Sequence, residues 1–127
     1  MYFKVRRTER GWAGHYICAN KCRFRRNTLL EYKRIKIVVS TVGAMEDYGK
    51  FEEIGHNRYY ETMVFHSDKD DKRYHDIDVS KQVSFGSEWS IDKIDADDKA
   101  NDMHETVVNE ITRELLNRNK FKGDWNV

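Results

Sequence analysis

The densest chemistry in this sequence sits in Lys21-Cys22-Arg23-Phe24-Arg25-Arg26-Asn27-Thr28. An arginine guanidinium presents a rigid fork of donors that matches the oxygens of a phosphate or a carboxylate. Asn27 and Thr28 add short polar groups beside the arginines, and Arg58-Tyr59-Tyr60 brings another arginine with two rings. Charge for phosphates and ring faces for bases are what a nucleotide site requires. The expected ligand-binding set is therefore Arg23, Arg25, Arg26, Asn27, Thr28, Arg58, Tyr59 and Tyr60, with Phe24 as a further stacking ring. The competing reading pairs the same arginines with acids of the chain itself.

The other chemistry-bearing residues are dispersed. His15, His56, His66, His75 and His104 show no HxH or HExxH spacing. Alternation along a strand sets Asp76 and Asp78 opposite His75, so one ion cannot collect them all with His66. No metal and no cofactor is expected. Cys18 and Cys22 lack the second pair that would complete a zinc site, and they read as small buried apolar groups. His15 is near enough in sequence to serve a cysteine nucleophile, but nothing fixes that geometry. Asp98, Asp102 and Glu105 share one helix face at i, i+4 and i+7, where like charges repel unless basic groups relieve them. Gly43, Gly49 and Gly55 are isolated turn glycines. With GxGxxG and GxxxxGKS/T patterns both absent, Rossmann or P-loop enzymology is disfavoured.

The elements that must position these groups follow from length and pattern. A chain of 127 residues, 39% hydrophobic and 13% aromatic, fits one domain with an ordinary core. No proline, low-complexity tract or Ser/Gly-rich linker divides it. The fold class expected is α+β: an antiparallel sheet of about five strands against one C-terminal amphipathic helix. Residues 2–7 and 12–18 read as short strands, residues 35–42 as a β-branched central strand ended by Gly43, and residues 58–66 as a fourth. Residues 75–85 alternate between apolar and polar positions and complete a hairpin with the fourth strand. Ala100, Met103, Val107, Val108, Ile111 and Leu115 follow helical spacing. Asp95 or Asp97 can cap that helix, and burying its stripe yields around 10 kcal/mol gross. His104 lies beside the stripe as a boundary residue, and residues 119–127, with Trp125, form a tail.

Net charge is +1, but the two halves differ: residues 1–60 sum to +7 and residues 61–127 to −6. Such asymmetry fits either a basic face for anions or two halves that attract each other. So small a global charge disfavours nonspecific DNA binding. No apolar run is long enough to span a membrane, and the first residues lack the apolar core of a signal peptide. The expected location is the cytoplasm of a bacterial host, with no membrane partner.

The segments CRFRRNTLLEY, IVVSTVG, RYYETMVF, DIDVS and DDKANDMHE together resemble an uncharacterised group of small proteins from phages and prophages of gut bacteria. The resemblance spans most of the chain and carries over no activity and no functional residue. It implies an origin, since small accessory phage genes often act against host defence. Three functions are compatible with it. The first is a non-enzymatic, homo-oligomeric protein that sequesters an anionic, nucleotide-derived signal. The second is a protein-binding inhibitor of a host defence nuclease, of anti-CRISPR type, with the acidic half facing a basic nucleic-acid channel. The third is a small phosphodiesterase-like enzyme using His66 or His75 to degrade a nucleotide signal.

Overall fold

A computed structural model describes residues 4–10, 21–55, 57–67, 77–83 and 89–117, with side chains omitted for residues 77–82. Seven strands and one helix follow in the order β1 (Arg6–Glu9), β2 (Cys22–Tyr32), β3 (Ile35–Asp47), β4 (Lys50–Glu52), β5 (Tyr60–Ser67), β6 (Ile77–Gln82), β7 (Ser90–Ile91) and α1 (Asp97–Leu116). The sheet runs β1-β2-β3-β5-β6, with β4 paired to β3 and β7 paired to β5, and every pairing is antiparallel. The α+β architecture is thus the one the sequence pattern implies.

The helix covers one sheet face. Ala100, His104, Val107, Val108, Ile111 and Leu115 are its buried residues. Val107, Val108, Ile111 and Leu115 meet Leu30 and Tyr32 of β2, Ile37 and Val39 of β3, and Val64 of β5, while Ala100 packs with Ala44 and Tyr60. The opposite face also buries apolar groups, Val38 and Phe65 with Leu29 and Met63 packed against them. Burial on both faces makes β3 the central strand, as its run of β-branched residues implies.

Several boundaries differ from expectation. The basic segment Cys22–Tyr32 is itself an eleven-residue strand. Its alternation is carried by Phe24, Thr28, Leu30 and Tyr32 rather than by an unbroken apolar row. Strand β3 continues through Gly43 to Asp47. Gly43 has φ +146°, and a Cβ there would overlap the Tyr59 carbonyl oxygen, so glycine permits close strand approach instead of ending the strand. Neither Asp95 nor Asp97 caps α1: Ala96 occupies the N-cap, and it has no capping side-chain bond. Both aspartates turn to arginine instead (below). His104 is fully buried, a correction to its boundary placement. The expected strand at residues 12–18 and tail at 119–127 lie outside the described residues, as do His15, Cys18, His56, His75 and Asp76.

Candidate functional site

Side chains alternate along β2, so the arginine-rich run is divided between the two faces of the sheet. Register aligns Phe24 with Gly43 and Tyr60, Arg26 with Thr41 and Thr62, and Thr28 with Val39 and Val64. These rows face α1. Arg25 aligns with Val42 and Glu61, and Asn27 with Ser40 and Met63, on the opposite face.

On the helix face the polar groups form one connected network. Arg26 donates Nε and Nη2 to Glu9 at 3.1 and 2.8 Å, and Nη1 to Glu105 at 2.8 Å and Asn101 at 2.9 Å. Arg7 forms a bidentate pair with Glu105 at 2.8 and 2.7 Å. The Arg7 hydrogen bonds, aided by Arg26, push the Glu105 carboxyl down to about 2. Burial pushes Glu9 upward, but hydrogen bonds from Arg26 and Thr28 outweigh it and hold Glu9 below the ordinary carboxylate value. Acids from β1 and α1 therefore clamp Arg26 between them.

Beneath this clamp lies His104, whose tautomer follows from its neighbours. Thr28 Oγ1 donates to Glu9 Oε2 at 2.8 Å, because an ionised carboxylate can only accept. With its proton so engaged, Thr28 must accept from His104 Nε2 at 2.7 Å. In a neutral ring Nδ1 then accepts from Thr41 Oγ1 at 2.6 Å, and Thr41 accepts from Thr62 Oγ1 at 2.6 Å. The chain of donation runs Thr62, Thr41, His104, Thr28, Glu9, crossing β5, β3, α1, β2 and β1. Burial, followed by repulsion from Arg26, lowers His104 to about 4, so the ring is neutral at pH 7.

The sequence-derived site residues are therefore separated. Arg23 donates to Asp97 at 3.2 and 3.0 Å and to Asp95 at 2.7 Å, and lies 5.3 Å from the centre of the Phe51 ring. Tyr60 is buried, and its hydroxyl donates to Asp97 at 2.6 Å while accepting from the Ala96 amide at 2.9 Å. Burial and the bond to Asp97 raise that phenol to about 12. Phe24 packs edge-on against Tyr60 at 6.3 Å. Arg58 pairs with Glu61 at 3.4 Å and lies over Gly55, where a Cβ would run into the guanidinium. The half-buried Tyr59 packs against the cluster around Tyr60, Ala96 and Ala100. Arg23, Arg26 and Arg58 thus each face a different set of the chain's own carboxylates, and they do not gather around one cavity with Arg25. The pairing between basic and acidic halves is what the structure displays.

Compared with family models, curated proteins and solved structures, the chain matches none.

Sequence reasoning missed three residues that the geometry brings forward. Glu9 and His104 matter through contacts across the sheet, which linear spacing does not reveal. Tyr48 is 98% exposed at the tip of the β3–β4 hairpin. It takes φ +52° and Gly49 takes φ +76°, the two left-handed positions of a type I′ turn. A bulky residue there is strained by about 1–2 kcal/mol relative to glycine. The Tyr-Gly pair at a two-residue connection was the available signal. Among the described residues no group of three or more His, Cys, Asp and Glu is placed to hold a metal ion. No described helix is long and apolar enough to cross a membrane.

Proposed function

We propose that this chain is a phage-type, anti-defence accessory protein that binds a host nuclease and occupies its basic nucleic-acid channel. The observation that carries this reading is Tyr48, 98% exposed in a strained left-handed turn. Strain retained at an exposed position points to selection for contact rather than for folding, and tyrosine is enriched among residues that dominate protein interfaces.

The surroundings supply complementary charge. Glu46 and Glu52 flank the hairpin tip, and Asp98 and Asp102 lie exposed on α1. None of these four makes an ion pair among the described residues. Arg23, touching Phe51 as well as Asp95 and Asp97, ties the hairpin to the start of the helix. One end of the molecule thus joins an aromatic anchor to uncompensated acids, a surface that opposes the sign of a channel built for phosphates.

The test is inhibition and capture of host nucleic-acid-processing nucleases. The native chain is expected to capture such an enzyme, block its binding to DNA or RNA, and release it as salt rises. Tyr48→Asn, which suits the left-handed turn, should fold at least as stably and lose capture. The double reversal Asp98→Lys with Asp102→Lys should also lose it, whereas Arg25→Ala should retain it. A nuclease bound and inhibited equally well by all three variants overturns the proposal.

A further inference from the structure

The two hairpin turns that bound β3 lie at opposite ends of the strand and differ in charge. The Tyr48-Gly49 turn is flanked by Glu46 and Glu52, whereas the β2–β3 turn is Lys33-Arg34. Lys33 and Arg34 are exposed, as are Lys4, Arg6 and Lys36. Strand pairing sets Arg6 of β1, Glu31 of β2 and Lys36 of β3 in one row. Extending the β1–β2 register by two residues sets Lys4 beside Lys33. Leu30 and Tyr32 turn toward α1, so alternation directs the row of Arg6, Glu31 and Lys36 to the opposite face.

Lys4, Arg6 and Arg34 make no ion pair among the described residues. The acid of the row, Glu31, approaches Lys36 at 4.0 Å. Lys33 lies 5.3 Å from the centre of the Tyr32 ring, a contact that seats the ammonium without cancelling its charge. Lys33 also takes φ +57°, where glycine or asparagine is favoured, so a cation is kept there against local preference. Arg6 and Lys36 are two strand spacings apart, about 10 Å, and Lys4 lies about 7 Å from Arg6 along β1. These cations form a strip and do not converge on one point, which suits a linear polyanion better than a compact ion. The exposed large apolar residues among those described are Tyr48, Ile94 and Leu116, so no exposed ring joins the strip to stack on a base.

We propose that the end carrying Lys33 and Arg34 holds the phosphodiester backbone of a nucleic acid, with Lys4, Arg6 and Arg34 on the phosphates and Lys33 and Lys36 flanking them. Contact through phosphates alone makes the binding independent of base sequence. The net charge of +1 does not oppose it, because that sum conceals two ends of opposite sign. The strip is separated from Tyr48 by the thirteen residues of β3, about 40 Å of strand. Either this proposal or the nuclease reading can therefore fail without the other.

Fluorescence anisotropy of labelled DNA and RNA, single-stranded and duplex and about 20 nucleotides long, is measured with the full chain at 50 and 150 mM salt. Binding is expected at the lower salt, and for about three to five duplex phosphates it should weaken roughly 20- to 140-fold at the higher. The arms that bind assign the form of nucleic acid held. Lys33→Asn suits the left-handed position, so its combination with Arg34→Gln should remain folded and flatten the salt slope by about two. Lys50→Gln with Lys99→Gln makes the same change in net charge at β4 and the first turn of α1, and should bind as the native chain does. The proposal is overturned if no oligonucleotide binds at 50 mM salt, or if the two double variants bind alike. It is equally overturned if anionic phospholipid vesicles are held and oligonucleotides are not.

Discussion

On the side of β2 that meets α1, Arg26 and Thr28 are held by Glu9, Glu105 and His104. On the other side Asn27 is as buried as Thr28, yet its amide nitrogen has no acceptor among the described residues. Adjacent residues of one basic run thus have opposite fates. The difference comes from partners: α1 and β1 bring acids and an imidazole to one face, and the strands that continue the rows of the other bring Ser40, Val42, Glu61 and Met63 beside Arg25 and Asn27. A run of similar residues on a strand is two half-runs with separate chemistry.

Breaking the satisfied face should have the largest effect. His104→Leu removes the acceptor of Thr41 and the donor to Thr28, leaving buried hydroxyls unanswered at about 1–3 kcal/mol each. Urea unfolding should register a loss of about 2–5 kcal/mol.

The pH dependence sharpens the same point. His104 sits at about 4 in the folded chain against an ordinary 6.5. Between those values the unfolded chain binds a proton that the native chain does not, so stability falls as pH drops from 6.5 to 4. About 3 kcal/mol is at stake, and below pH 4 this contribution changes no further. Glu105, at about 2 against 4.5, adds a second decline as pH falls through that lower window. In His104→Leu the upper window should vanish while the lower one persists, as read from unfolding midpoints across pH.

Arg26→Met should come next, at about 1–2 kcal/mol, because it removes one counter-ion from each of two half-exposed carboxylates that solvent partly screens, while Arg7 stays on Glu105. Arg23→Ala should change stability least. Its pairs with Asp95 and Asp97 lie at the surface, where such contacts contribute little.

How much of this was legible in the sequence depends on the range over which each feature is encoded. The stripe from Ala100 to Leu115 and the alternation in residues 59–66 repeat within a few residues, so α1 and β5 were readable from pattern alone. Strand β2 was not, because Arg23, Arg25, Arg26 and Asn27 interrupt the apolar rhythm, and the partial burial of Arg26 is made tolerable by acids 17 and 79 residues away. His104 looked like a boundary residue for the same reason: Thr28, Thr41 and Thr62, which surround it, are converged only by the strand register. The charge split between halves left attraction between them as one of two readings, and the geometry names the pairs, Arg7 and Arg26 with Glu105, and Arg23 with Asp95 and Asp97.

A double-mutant cycle on Arg26 and Glu105, with Arg26→Met, Glu105→Gln and the pair measured by urea unfolding at pH 7, tests most directly whether the arginines of β2 serve as internal counter-ions. A favourable coupling of about 0.5–1 kcal/mol is predicted, diminishing as salt is added. Strict additivity of the two single changes would contradict the account and return Arg26 to the pool of groups available for an external anion.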